Sequence, residues 1–140
     1  MADVIKAARA NIEATNARDW ARFKETLAKD VVYDEVGTGR VLKGADAWTE
    51  AYKGWIAAFP DVQGKISAVH AAGDTATVEV TWDGTQTGPL QTPGGTIPPS
   101  GKRQVTRASI VMTFDGDVVK EAHHYFDMAS LLTQIGAMPS

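Results

Sequence analysis

The chain has 140 residues, enough for one domain with a core of its own. Hydrophobic residues make up 44% and charged residues 22%, and the net charge of -3 with scattered Lys and Arg excludes a phosphate-neutralising, nucleic-acid-binding surface. Cysteine is absent, which excludes disulfide frameworks, thiol catalysis and thiolate metal sites.

Val4, Ile5, Ala8, Ile12 and Thr15 recur at helical spacing and predict a helix over residues 3–16. That segment lacks the long apolar core and cleavage site of a secretory signal. No run approaches the roughly 20 apolar residues that span a bilayer, so the expected setting is soluble and cytoplasmic, with no membrane partner. Asn16, Ala17 and Arg18 break the helix, and Asp19 is placed to cap a second one over 19–28. Trp20, Phe23 and Leu27 form its apolar stripe. The stripe reads first as core, with Trp20 and Phe23 as candidates for a pocket wall.

Residues 31–36 read as a short strand carrying Tyr33, a further candidate for substrate contact, and Asp34. After a turn, a long helix opens at Gly44, Ala45 and Asp46 and stops before Pro60. Trp48, Tyr52, Trp55 and Phe59 stand three or four residues apart and share one face. Such a wall is ordinarily core, but it also suits a flat apolar ligand, with Trp55 and Phe59 as contacts.

From Val62 onward the pattern becomes β. Four strand candidates follow, each about ten residues long against a usual five or six. Tight turns at 72–74 and 115–117 join them in pairs. Long antiparallel strands curl, and three preceding helices can cover one face. The expected fold is α+β: a cone-shaped, strongly curved antiparallel sheet with the N-terminal helices on its concave face and a short closing helix from Met128 to about Ile135. The Pro- and Gly-rich segment from Pro89 to Gly101 is expected to act as a lid or as an arm to a second subunit.

Near the end, His123, Tyr125 and Asp127 alternate along a strand and are expected to point together, with His124 opposite unless a bulge intervenes. Facing a pocket, they would form an acid/base group with two partners. Asp127 also precedes a helix and can cap it. Arg107 anchors a carboxyl or phenolate if it faces inward. His70 reads as structural, and no His/Asp/Glu spacing suggests a metal site.

The order AWTEAYKGWIAAFPD, AAGDTATVEVTWDGTQTG, PPSGKRQ and FDMASLLTQIGAMP resembles the SnoaL-like polyketide cyclases of the nuclear transport factor two-like superfamily, over residues 2–139. The resemblance implies a cone open at one end and an intramolecular aldol condensation needing no metal or organic cofactor. It implies an acid/base aspartate at Asp127. The family often has a histidine where this chain has Gln86, a departure from its pattern.

An aldol closure removes a proton from carbon beside a carbonyl and returns one to the new alkoxide. Burial of Asp127 beside Phe126, Met128 and the aromatic wall would raise its pKa toward the working range. His123 would relay the proton and Tyr125 would donate to the enolate oxygen, while the pocket holds the apolar substrate in a reactive conformer. Two other readings keep the pocket: an isomerase or epoxide hydrolase of ketosteroid isomerase-like type, and a non-catalytic small-molecule-binding protein. A homodimer is expected because no helix is available for the second face of the sheet.

Overall fold

The computed structural model describes residues 3–138. The first helix, α1 (Val4–Ala17), is capped by Asp3 and ends at Arg18, whose φ of 59° turns the chain in the left-handed region. The Arg18 guanidinium donates to the carbonyls of Pro60 and Val62, tying this corner to the far end of the third helix. Asp19 caps α2 (Trp20–Glu25) as expected, accepting from the Arg22 amide. That helix is shorter than its apolar stripe suggested. Leu27 already belongs to β1 (Leu27–Glu35), because Thr26 bonds back to Phe23 and closes the turn.

The strand β2 (Arg40–Lys43), which the residue pattern did not announce, folds back on β1. It leads into α3 (Ala45–Ala58). Then come β3 (Gln63–Ala72) and β4 (Thr75–Thr85), a small hairpin of β5 (Leu90–Thr92) and β6 (Gly95–Ile97), β7 (Arg103–Asp115), β8 (Val118–Phe126) and α4 (Met128–Gln134). Six strands form one curved sheet in the order β2-β1-β8-β7-β4-β3. All neighbours are antiparallel except β1 and β8, which run parallel in the body of the sheet.

On the helix side of the sheet lie Ala76, Val78 and Val80 of β4 and Ala108, Ile110, Met112 and Phe114 of β7, all buried. They pack with Ala8 and Ile12 of α1, Phe23 of α2 and Trp48 and Tyr52 of α3 into the main core. The rings meet edge to face, with Phe23 5.5 Å from Trp48 and Trp48 5.8 Å from Tyr52. A second cluster joins Phe59, Val62, Leu90, Leu131 and Ile135, so α4 and the small hairpin share one apolar seam.

The segment from Pro89 to Gly101, expected as a lid or arm, is held in place by Gln86. That side chain is fully buried. Its amide donates to the carbonyls of Ile97 and Pro98 and its oxygen accepts from the Ser100 amide. Gly88 lets the hairpin approach α3, since a Cβ there would lie 2.0 Å from the Ala57 carbonyl oxygen. Among the described residues, no helix is long and apolar enough to cross a membrane.

Candidate functional site

Val31, Tyr33 and Glu35 alternate on the inner face of β1, and all three are fully buried. A carboxylate on such a face needs donors to stay there. Glu35 has them. Arg40 donates from Nε at 2.8 Å and Thr38 from its hydroxyl at 2.7 Å, both to Oε1. The Trp55 indole N–H at 3.0 Å and the Tyr33 hydroxyl at 2.9 Å donate to Oε2. The tight turn between β1 and β2 supplies two of these partners, because it sets Arg40 directly across from Glu35. Burial pushes the Glu35 pKa up, but the Arg40 and Thr38 hydrogen bonds, the Arg40 charge and Trp55 outweigh it, and the net shift is downward.

Tyr33 reaches further. Its hydroxyl oxygen lies 2.8 Å from Nδ1 of His124, and its ring stacks on Trp48 at 4.5 Å. The parallel register of β1 and β8 brings these groups together by setting Glu35 opposite His124. On the far side of the imidazole, the Trp82 indole donates to Nε2 at 3.2 Å. Burial lowers the His124 pKa to about 4, against the opposing charge of Glu35, so the ring is neutral at ordinary pH. Burial, with the neighbouring Tyr52 and Glu35, drives Tyr33 well above the usual tyrosine range.

His124, Trp82, Tyr52, Trp55, Phe59 and Phe126 line a cavity of about 70 Å³, with Thr106 and Leu131 among the remaining walls. A neighbouring hollow of about 290 Å³, bounded by Arg40, Gln91, Pro93 and Met128, shares Trp55 with it. Gly37 keeps the Phe126 wall close, as a Cβ there would stand 2.6 Å from that ring. Among the described residues, no three His, Cys, Asp or Glu side chains are grouped so as to hold a metal ion.

The residues nominated from sequence divide sharply. Trp55 and Phe59 line the cavity. Tyr33 stands behind it in the hydrogen-bonded chain, while Phe23 is fully buried core and Trp20 packs partly buried on Phe23 at 5.7 Å. Arg107 points outward and is exposed.

His123 and Tyr125 do share a face, but it is the outer one. His123 sits between Asp34 at 3.0 Å and Glu121 at 2.9 Å, and Tyr125 is 48% exposed. The hydrogen bond to Asp34 chiefly, with that to Glu121 behind it and against partial burial, raises the His123 pKa. Asp127 is exposed, and its carboxylate accepts from the Ser130 amide at 3.0 Å as the cap of α4. The burial expected of Asp127 is therefore missing.

Glu35, His124 and Trp82 were the omissions. A signal existed for the first two. Val31, Tyr33 and Glu35 keep period two, which sets Asp34 outward. Ala122, His124 and Phe126 do the same, with apolar residues on either side of the histidine. What blurred the pattern is a bulge: Thr113 pairs with Glu121 while Phe114 pairs with Val119, leaving Lys120 extra. Val119 and Ala122 thus both face inward, and His124 follows.

A curved sheet closed over three helices around an apolar cavity defines the class of this protein. The same architecture occurs in a protein of ketosteroid isomerase-like fold from Catenulispora acidiphila, solved with trimethylamine, at 17% identity and a TM-score of 0.80, covering 99% of this chain and 96% of that one. A sequence model described as SnoaL-like polyketide cyclase matches residues 5–135, and the chain belongs to that family. A candidate SnoaL-like polyketide cyclase from Jannaschia sp. CCS1 is similar at 19% identity and a TM-score of 0.85, with 99% and 98% of the two chains covered. IdmH, a candidate polyketide cyclase from Streptomyces antibioticus, is similar at 20% identity and a TM-score of 0.81, with 96% and 99% covered. At these identities the structural likeness speaks for the fold alone. Comparison with curated proteins finds no match. Family membership supports a cyclase-type function.

Proposed function

We propose that the protein is a cyclase-type enzyme that performs acid/base chemistry on an apolar ketone or ester, with His124 as the group that takes and returns the proton. The observation that carries this is the buried chain Glu35–Tyr33–His124, whose last member presents its ring to the cavity. An acidic C–H placed at Nε2 gives its proton to the imidazole, and the electron pair passes to the carbonyl as an enolate. The enolate carbon attacks the second carbonyl, one C–C bond forms, and the resulting alkoxide takes the proton back. The ionised Glu35, reached through Tyr33, stabilises the imidazolium that exists between the two steps. The indole N–H released from Nε2 is a donor for the enolate oxygen.

Asp127, the aspartate implied by the family resemblance, is the competing candidate for the same role. Its exposure and its use as a helix cap favour His124. The cavity of about 70 Å³ holds only part of a polycyclic substrate, against roughly 300 Å³ or more for ordinary ligand pockets, so turnover involves opening toward the hollow beyond Trp55.

The test is deuterium exchange at the activated methylene of a small β-keto ester, followed by NMR with the wild-type protein, His124→Gln and Asp127→Asn. Acceleration lost in His124→Gln and kept in Asp127→Asn supports the reading. The reverse pattern returns the role to Asp127. Saturable binding with no acceleration by any form identifies a ligand-binding protein instead.

A further inference from the structure

The hydrogen-bonded chain behind the cavity admits only one arrangement of protons, and its far end decides which. An indole N–H can only donate. Trp82 therefore makes Nε2 of His124 an acceptor, and that nitrogen carries no proton. A neutral imidazole then bears its proton on Nδ1, which donates to the Tyr33 oxygen 2.8 Å away. With its oxygen accepting from His124, Tyr33 sends its own proton to Glu35 at 2.9 Å. Glu35 receives donors from Tyr33, Trp55, Thr38 and Arg40 and stays ionised. The opposite order would place two N–H groups head to head at Nε2.

We propose that Trp82 is a positioning residue that fixes the tautomer of His124, holding Nε2 as a lone pair at the cavity wall and ordering each proton from the imidazole to Glu35. Trp82 is itself packed against its neighbours. Its ring packs on Gly64, where a Cβ would approach to 2.6 Å, and stands 6.2 Å from Tyr52. Gly64 is fixed in turn by Asn16, which both donates to its carbonyl and accepts from its amide. The inference deepens the acid/base reading above, because a histidine in this tautomer accepts a proton at Nε2 once the indole N–H has left it and passes one away at Nδ1. The tautomer itself is independent of any turnover.

The ionisable groups facing His124 are Tyr33 and Glu35 from β1 and Tyr52 from α3, with Arg40 of β2 beyond Glu35. None of them is replaced in Trp82→Phe, which keeps an aromatic ring at the position and removes the donor together with part of the indole that meets Gly64. The experiment is nitrogen-15 NMR of the imidazole rings in the whole protein near neutral pH. The chain has three histidines, so His70→Gln and His123→Gln assign the third by elimination without disturbing the site.

The expected result is a protonated Nδ1 and a bare Nε2 at His124 in the wild type. In Trp82→Phe, the proton moves to Nε2 in a measurable fraction of molecules, and the His124 pKa rises by about one unit or more because the neutral form has lost a donor. A wild-type ring protonated at Nε2 overturns the proposal, as does a Trp82→Phe ring with unchanged tautomer and pKa. Confirmed tautomerism with deuterium exchange that is indifferent to His124 would leave this inference standing and sink the catalytic one.

Discussion

Tyr33 and His124 lie 91 positions apart in the chain, yet the tyrosine oxygen sits 2.8 Å from the histidine nitrogen. The contact exists because β1 and β8 pair in parallel, in a register that faces Glu35 with His124. Two strands with ordinary alternation thus assemble a polar chain inside an otherwise apolar core. A buried network of this kind is stable only when every member is satisfied, which makes each link testable by deletion.

Replacing Tyr33 with Phe removes the middle link and leaves the Nδ1 proton of His124 and one oxygen of Glu35 short of a partner. The expected cost is about 1–3 kcal/mol of stability, read from urea unfolding. Exchange of an activated methylene should fall with it. A Tyr33→Phe protein with undiminished exchange would show that Glu35 takes no part in the chemistry.

His124 also sets the acid sensitivity of the fold. Its pKa of about 4 in the folded protein lies below the usual unfolded value of about 6.5. Between those values the unfolded chain binds a proton that the native chain refuses, so stability falls as pH drops through this window. The full difference is on the order of 3 kcal/mol for a group this deeply buried. His123 acts with the opposite sign: its raised pKa contributes stability at low pH that is lost as pH rises through the folded value. Glu35, whose pKa is lowered, loses its contribution as pH falls further. Urea midpoints measured from pH 7 to pH 4 should therefore decline, and the decline should flatten in a folded His124→Gln protein.

Asp127 separates the two catalytic candidates by stability as well as by rate. Asn caps a helix about as well as Asp, whereas Ala does not. Asp127→Asn should cost a few tenths of a kcal/mol, and Asp127→Ala about 1 kcal/mol. Both should retain methylene exchange if the carboxylate is a cap alone. Abolished exchange in a stable Asp127→Asn protein would make it the acid/base group.

The seating of the small hairpin depends on Gly88, whose amide bonds to Ala58. Gly88→Ala forces a methyl group into the α3 backbone and should destabilise the protein by about 1–3 kcal/mol or more. Hydrogen exchange should quicken first at the amides of residues 88–97. Unchanged protection there would mean that α3 yields instead.

The outer face of the sheet carries Val105 at 41% and Tyr125 at 48% exposure beside Arg107. We propose that a homodimer covers it. Tyr125→Glu should then shift sedimentation from dimer to monomer while leaving the near-ultraviolet spectrum of the buried tryptophans in place. A wild-type protein that sediments as a monomer at every concentration refutes the dimer.

Much of this molecule is legible in the order of its residues. Helical spacing located α1 and the aromatic face of α3, period two and tight turns located the four long strands, and motif order pointed to the family. Asp19 and Asp127 were both legible as caps, because capping is local and needs only the residue and the helix that follows. Two things were settled only by folding. The extra residue Lys120 in β8 sets which histidine faces the helices, since a single bulge shifts every later side chain relative to Val119. The parallel pairing of β1 with β8 then joins Glu35, Tyr33 and His124, and the β4 register adds Trp82. The period-two spacing of Ala122, His124 and Phe126 hints at the first, but the second leaves no trace at short range, because strand neighbours are chosen by how the whole sheet closes over its helices.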